Sequence, residues 1–168
     1  MNKTSFNEYI DQGYNHIPVF REVVLDTDTA LGLYLKLANN TYSYLFESVQ
    51  GGEKWGRYSI IGLHAQTVIK VFDYEIQVEK DSNIIERFQV EDPLAWIEQY
   101  QQQFKVPEIA DLPEFNGGLV GYFGYEIIRY IEPKLKDIKL KDELNIADIL
   151  LMVSNDLVVF DNLANKAF

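Results

Sequence analysis

The chain has 168 residues, 47% of them hydrophobic and 14% aromatic, so it can bury a core and lies outside the composition of disordered proteins. Its net charge of −11 disfavours nucleic acid and anionic membranes as partners, and the lack of cysteine excludes a disulfide framework, a thiolate nucleophile and Cys-ligated zinc. Without a signal-peptide pattern or an apolar run near the ~20 residues of a membrane span, we expect one cytoplasmic domain over residues 1–168.

The first part of the chain predicts a helix, a strand and a second helix. Apolar residues at helical spacing indicate a short helix over Ser5–Asp11. The β-branched residues of Ile17–Leu25 then favour a strand. Oxygen-bearing side chains in Asp26–Thr29 can cap a second helix, whose apolar spacing continues to Asn39.

From Tyr42 onward the pattern changes to short strands separated by turns. The predicted strands are Tyr42–Ser48, Arg57–Leu63, Thr67–Phe72, Glu75–Glu79 and Ile84–Val90. Asp92 followed by Pro93 is typical of a helix start, and the helical spacing continues to Phe104.

The last part predicts a glycine-rich segment, a short helix and further strands. The predicted elements are Phe115–Glu126, the helix Ile127–Ile131 and the strands Ile149–Val153 and Leu157–Phe160. A turn over Asp161–Asn165 leads into a further apolar segment, so we expect its strand to continue beyond Phe168. Helices mixed with antiparallel strands, without βαβ alternation, predict an α+β fold, mostly antiparallel sheet with a few packed helices.

One candidate ligand site is the segment Leu45-Phe46-Glu47-Ser48, which is followed by a glycine turn. Glu47 could bind an ammonium group and Ser48 a carboxylate or amide, beside apolar neighbours. The structural alternative pairs Glu47 with Lys54 or Arg57 across a hairpin and makes Ser48 the start of a turn. No base accompanies Ser48 in sequence, which disfavours a serine nucleophile.

Other segments could be interpreted as phosphate-binding or metal-binding sites, but their residues favour structural roles. The run Gly117–Gly124 has four glycines but lacks both GxGxxG and Gly-Lys-Ser/Thr, so close backbone approach or strand bulges are favoured over a phosphate loop. The acidic pairs are interpreted as caps or solvated loops, and the two histidines lack metal-ligand spacing. These residues are Asp26, Asp28, Glu91, Asp92, Asp142, Glu143, His16 and His64.

Five motifs in order resemble the N-terminal region of anthranilate synthase component I. They are Ile17–Phe20, Leu45–Ser48, Gly52–Ser59, Phe115–Glu126 and Ile149–Asp161. The resemblance implies the truncated N-terminal half of a larger two-layer α/β enzyme fold, whose catalytic chorismate-binding domain follows. The family's lyase converts chorismate and glutamine-derived ammonia to anthranilate and pyruvate with Mg²⁺. A fragment without that domain is expected to hold no metal and to be inactive.

The same resemblance implies an allosteric role in tryptophan biosynthesis. The family's Leu-Leu-Glu-Ser motif contributes to the site of feedback inhibition by L-tryptophan, and its matches are Leu45, Phe46, Glu47 and Ser48, with Phe46 departing from the usual leucine. Arg57 and Tyr58 are further candidates through their proximity in sequence. The implied partners are the chorismate-binding domain and the glutamine amidotransferase subunit, component II.

Two alternatives remain open at this stage. The related aminodeoxychorismate synthase component I, which serves folate synthesis, shares the N-terminal fold. The other alternative is a free-standing module that binds an amino acid or docks an amidotransferase. The complete run Gly51–Ser59 favours the anthranilate enzyme over the folate enzyme.

Overall fold

The computed structural model describes residues 2–25, 27–47, 56–110, 112–113, 115–136 and 144–168. The chain forms two compact units. The first unit comprises residues 1–65, 104–117 and 154–168, and the second comprises residues 66–103 and 118–153. Each unit contains its own five-stranded sheet.

Four α-helices occur among the described residues: α1 (Lys3–Asp11), α2 (Ala30–Leu37), α3 (Pro93–Gln102) and α4 (Ile128–Ile131). Three start at oxygen-bearing caps, as the sequence predicts for the second and third. Thr29 Oγ1 accepts a hydrogen bond from the amide of Gly32, and Asp92 Oδ1 accepts from Leu94 and Ala95. The predicted short helix at Ile127 begins as a 3₁₀ turn over Tyr125–Ile127.

Ten strands occur in the same described ranges. They are β1 (Val23–Val24), β2 (Tyr44–Glu47), β3 (Tyr58–Gly62), β4 (Thr67–Phe72), β5 (Glu75–Lys80), β6 (Asn83–Gln89), β7 (Gly118–Phe123), β8 (Ile149–Ser154), β9 (Leu157–Asp161) and β10 (Lys166–Ala167). With these helices and antiparallel pairings, the predicted α+β class is confirmed.

The sheet of the first unit has the strand order β1-β10-β9-β3-β2. Helix α2 covers one face of this sheet through the buried residues Ala30 and Leu33. They pack with Ile61 of β3, Phe160 of β9 and Ala167 of β10. Because successive side chains of a strand alternate between faces, this cluster defines the inner face of the sheet.

The sheet of the second unit has the order β6-β5-β4-β8-β7. Ile69, Ile76 and Ile149 have no exposed surface and form the centre of its buried side chains. Trp96 of α3 lies 5.6 Å from the ring of Phe88 on β6, which brings the helix against that strand. Ile97, which belongs to the apolar spacing that predicted α3, is buried.

Glycine in β7 permits a close approach to its neighbour β8. A Cβ atom on Gly121 would lie 1.8 Å from the carbonyl oxygen of Leu150, so any side chain there is excluded. This confirms the structural interpretation of the glycine-rich segment. β7 is an edge strand among the described strands.

The predicted strand over Ile17–Leu25 is largely wrong. Only Val23 and Val24 pair with another strand, β10, in the register Val23–Ala167 and Val24–Lys166. Pro18 lacks an amide hydrogen and therefore weakens any ladder at its position. The remaining part of the segment runs as irregular backbone, because β-propensity cannot supply a partner.

Candidate functional site

The predicted ligand motif lies on β2, where alternation sends its side chains to opposite faces of the sheet. Leu45 packs on the inner cluster beneath α2, and Glu47, two residues later, shares that face. Phe46 points to the outer face, where its ring is 51% exposed and lies 4.9 Å from that of Tyr44. Ser48 lies outside the described residues.

Strand β3 supplies the residues opposite this motif. Leu45 pairs with Ile61, and Glu47 pairs with Ser59. Ser59 is buried, and its hydroxyl accepts a 3.2 Å hydrogen bond from the side-chain amide of Asn162. An amide is not a base, so this contact does not activate the hydroxyl as a nucleophile.

Arg57, just before β3, forms an ion pair with Asp161 at the end of β9. Its Nε and Nη2 atoms both donate to Asp161 Oδ2, at 2.9 and 2.7 Å. The structural alternative that paired Arg57 with Glu47 is therefore wrong, while Lys54 lies outside the described residues. The ion pair holds the guanidinium at the end of the sheet with its Nη1 atom outside these two bonds.

Asp161 is a buried carboxylate, with 2% of its surface exposed, and it also organises the turn after β9. Its Oδ1 accepts hydrogen bonds from the amides of Leu163 and Ala164 at 3.0 and 3.1 Å. Burial by itself would raise the pKa of Asp161. The hydrogen bonds from Arg57 and from the two amides outweigh burial and hold the pKa below its usual range.

Tyr58 lies on the outer face of the sheet and contacts the guanidinium of Arg57. The guanidinium carbon of Arg57 lies 4.9 Å from the centre of the Tyr58 ring, a cation–π contact. Phe46 pairs with Ile60, two residues after Tyr58, so both rings share the outer face. The structure thus brings Phe46, Tyr58 and Arg57 to one face and places Leu45 and Glu47 on the other.

The free edge of β2 is where one ligand could contact the residues of both faces. β2 is the outermost strand of its sheet among the described strands, and Glu47 is its last residue. A ligand at this end could meet the carboxylate on one side and the aromatic rings on the other. These side chains suit recognition of an ammonium group and an apolar ring better than proton transfer.

Tyr44 fixes the start of β2 in place. Its hydroxyl shares a 2.8 Å hydrogen bond with the hydroxyl of Ser154, and both side chains are buried. Its ring covers Gly62, where a Cβ atom would come within 1.9 Å of the ring. Burial, outweighing the bond to Ser154, raises the pKa of Tyr44.

Sequence reasoning missed Asp161, Asn162 and Tyr44 as members of this region. The only available signal was the turn-forming pair Asp161-Asn162 directly after a strand, which suits side-chain bonds to the following amides. Arg57 and Asp161 are separated by 104 positions, and no local pattern connects them.

The second unit contains a separate polar cluster around Arg129. Its guanidinium donates to Asp73 at 3.0 Å and to Asp148 at 3.3 Å, while the hydroxyl of Tyr130 donates to Asp148 at 2.8 Å. Burial and the hydrogen bond to Asp148 raise the pKa of Tyr130 well above its usual value. Asp148 also accepts from the amide of Asp73, so the cluster fastens the β4–β5 turn.

Two of the acidic residues considered in the sequence have structural contacts. Asp92 caps α3, and Asp28 pairs with Lys36 on α2. His64 Nδ1 lies 2.7 Å from the carbonyl oxygen of Thr41. Across the described ranges, no group of three His, Asp or Glu side chains is placed to hold a metal ion. Asp26, Asp142 and Glu143 fall outside those ranges.

The described helices are all too short or too polar to cross a bilayer. The fold and the polar, aromatic end of β2 define an α+β protein with features suited to ligand binding. No protein-family model matches the sequence.

The chain is 52% identical over 166 residues to anthranilate synthase component 1 of Pseudomonas aeruginosa, a match that covers 99% of this chain and 34% of that protein. The homologue of Pseudomonas putida gives the same identity and coverage. The crystal structure of anthranilate synthase component I from Streptococcus pneumoniae superposes with a TM-score of 0.51 at 22% identity, covering 89% of this chain and 31% of that chain. That structural likeness supports the fold alone.

The chain is homologous to the N-terminal region of anthranilate synthase component I. It spans about a third of the length of the curated relatives it matches. The predicted resemblance is confirmed.

Proposed function

We propose that the chain is the regulatory N-terminal part of an enzyme that converts chorismate and glutamine-derived ammonia to anthranilate and pyruvate. The observation that carries this proposal is the 52% identity to anthranilate synthase component 1 over nearly the whole chain. In this proposal the remaining two-thirds of the enzyme holds the chorismate-binding domain, and component II delivers the ammonia. The 168-residue chain by itself is inactive.

The proposal places Mg²⁺ outside this chain. What this chain contributes is binding and positioning.

L-Tryptophan is proposed to bind at the end of β2. Glu47 would accept hydrogen bonds from the ligand ammonium, and Ser48 would bind its carboxylate. Phe46 and Tyr58 offer aromatic surface for the indole, and Arg57, held by Asp161, supplies a fixed positive charge near the carboxylate. Support comes from the position of Glu47, the exposed last residue of an edge strand.

Feedback in this scheme is a coupling between two sites. Tryptophan can inhibit only if it binds more tightly to an arrangement of the enzyme that is less active. A substitution in the tryptophan site should therefore change inhibition while leaving uninhibited turnover intact.

The decisive experiment is the assay of the full-length enzyme with and without L-tryptophan, for the wild type and for Glu47→Ala. We expect anthranilate as the product and nearly unchanged turnover in the variant. The tryptophan concentration that half-inhibits the variant should be at least tenfold higher than for the wild type. Glu79→Gln, on β5, is not a suitable control because Glu79 pairs with Lys70. Glu8→Ala, at an exposed position of α1, makes the same substitution on another element and should leave inhibition unchanged.

Two results would overturn parts of this proposal separately. Formation of aminodeoxychorismate in place of anthranilate would assign the chain to the folate enzyme. Unchanged tryptophan inhibition in Glu47→Ala would remove the site assignment while leaving the activity assignment in place.

A further inference from the structure

Asn162, the residue directly after β9, binds the segment of chain that leads into β3. Its backbone N–H donates to the carbonyl oxygen of Arg57 at 2.8 Å. Its side-chain Nδ2 donates to the carbonyl oxygen of Gly56 at 3.1 Å and to the hydroxyl of Ser59 at 3.2 Å. One residue at the surface of the first unit thereby holds the chain from position 56 to position 59.

The backbone bond of Asn162 continues the ladder between β3 and β9. Tyr58 pairs with Asp161 in that register. Arg57 and Asn162 are therefore the next opposite pair. Every amino acid except proline could donate this backbone bond. The two side-chain bonds, in contrast, need a donor with the length of asparagine, so they depend on the identity of the residue.

The orientation of the Asn162 side-chain amide follows from its partners. A backbone carbonyl oxygen can only accept a hydrogen bond, so the atom that faces Gly56 is the nitrogen. The same nitrogen reaches Ser59, whose hydroxyl oxygen can accept. An amide nitrogen carries two hydrogens, and each bond uses one of them. Rotation of the side chain would break both bonds.

Both acceptors of this side chain are neighbours of residues in the proposed tryptophan site. Gly56 directly precedes Arg57, so a bond to its carbonyl restrains the backbone that carries the guanidinium. Ser59 lies directly opposite Glu47 in the ladder between β2 and β3. Directly opposite residues have Cβ atoms about 4.5–5.5 Å apart, close enough for their side chains to interact. The Asn162 amide can therefore influence both charged candidates through their neighbours.

Asp161 and Asn162 support Arg57 at different places. Asp161 binds the guanidinium at the tip of the side chain. Asn162 binds the backbone of Arg57 and of the residue before it. A binding group is placed precisely only when the residues around it restrain both its side chain and its backbone. The two consecutive residues after Phe160 together meet this requirement.

We propose that Asn162 is a positioning residue for the tryptophan site and holds Arg57 and Glu47 in the geometry that binds the amino acid. The inference rests on the proposed function, since it needs tryptophan to bind at the end of β2. Asn162 acts through Gly56 and Ser59. Its loss should weaken tryptophan binding and leave turnover unchanged, because the reaction is proposed to occur in the remaining part of the enzyme.

The test is inhibition of the full-length enzyme by L-tryptophan, measured together with kcat and with the KM for chorismate. In Asn162→Ala the tryptophan concentration that gives half-inhibition should rise at least threefold, while kcat and KM stay within about twofold of the wild type. Thr29→Ala is the control for stability, because it removes the N-cap of α2 in the same unit. It should lower the thermal unfolding temperature and leave inhibition unchanged.

A double-variant cycle tests the route through Ser59. Ser59→Ala removes one acceptor of the Asn162 amide. Asn162→Ala should therefore weaken inhibition less in the Ser59→Ala background than in the wild type. Fully independent effects of the two substitutions would contradict this route.

The remaining outcomes separate this inference from the proposed function. Unchanged inhibition in Asn162→Ala, with inhibition lost in Glu47→Ala, would overturn the role of Asn162 and leave the tryptophan site in place. Equal losses of inhibition in Asn162→Ala and Thr29→Ala would indicate a general effect of stability and would also overturn it. Unchanged inhibition in Glu47→Ala would remove the proposed site and the role of Asn162 with it.

Discussion

Arg57 and Asp161 join the beginning of β3 to the end of β9 through two hydrogen bonds to one carboxylate oxygen. The same carboxylate holds the turn that leads to β10, through the amides of Leu163 and Ala164. One buried side chain therefore connects the proposed ligand-binding end of the sheet with the turn before β10.

Asp161→Asn should destabilise the first unit at pH 7 by about 1–2 kcal/mol, because hydrogen bonds to a buried charged group are lost or weakened. The pKa of Asp161 is lowered in the folded chain, so its contribution to stability is complete above the ordinary aspartate pKa of about 3.9 and is lost as the pH falls through the lower folded value. The variant should lack this acid-dependent loss.

Urea unfolding between pH 2 and pH 7 measures this difference. Glu8→Gln removes an exposed carboxylate of α1 and serves as the control, with a pH dependence like that of the wild type. An Asp161→Asn curve parallel to the wild type throughout would show that the ion pair contributes no acid sensitivity.

Gly62→Ala should destabilise the first unit by about 1–3 kcal/mol, the usual cost of overpacking a filled site. The added Cβ would lie 1.9 Å from the Tyr44 ring, which would have to move away from Ser154. Thermal unfolding of Gly62→Ala, Tyr44→Ala and the double variant measures the coupling. In the Tyr44→Ala background the glycine substitution should cost much less, and additive effects would contradict the assigned contact.

Tyr130 should make the second unit sensitive to alkali. Its pKa is raised in the folded chain, so the neutral phenol contributes stability that is complete below its ordinary pKa of about 10 and is lost as the pH rises towards the folded value. Absorbance titration should show Tyr130 ionising only with unfolding, and Tyr130→Phe should remove that signal.

Tyr125→Phe is the matched control for the alkaline titration. The Tyr125 side chain is 90% exposed, so its removal should leave the late phenol signal intact. A late signal that survives in Tyr130→Phe would instead belong to another tyrosine, such as Tyr44 or Tyr100, whose pKa values are also raised, mainly by burial.

Phe46→Leu should change ligand preference in the full-length enzyme without reducing its turnover. The substitution introduces the residue that the family motif usually carries and removes an exposed ring near Tyr44. We expect the ratio of inhibition by L-tryptophan to inhibition by L-phenylalanine to shift by about threefold or more, since one apolar contact is worth about 1 kcal/mol. An unchanged ratio would place Phe46 outside the ligand site.

Local sequence patterns predicted many individual elements correctly. Helices α2 and α3 begin at the predicted cap region and cap residue, and β4 has its predicted limits, because caps and side-chain periodicity act within a few residues. The close-approach role of the glycines was also predicted and is borne out at Gly121. The strand over Ile17–Leu25 failed because a strand needs a partner, and only its last part finds one.

The sequence by itself determined the family, the α+β class and the positions of most helices and strands. Tertiary structure alone decided that Arg57 meets Asp161 and that Phe46 and Glu47 occupy opposite faces of one edge strand. The physical reason is range: caps and periodicity are interactions between near neighbours, whereas an ion pair across 104 positions exists only after the sheet has assembled.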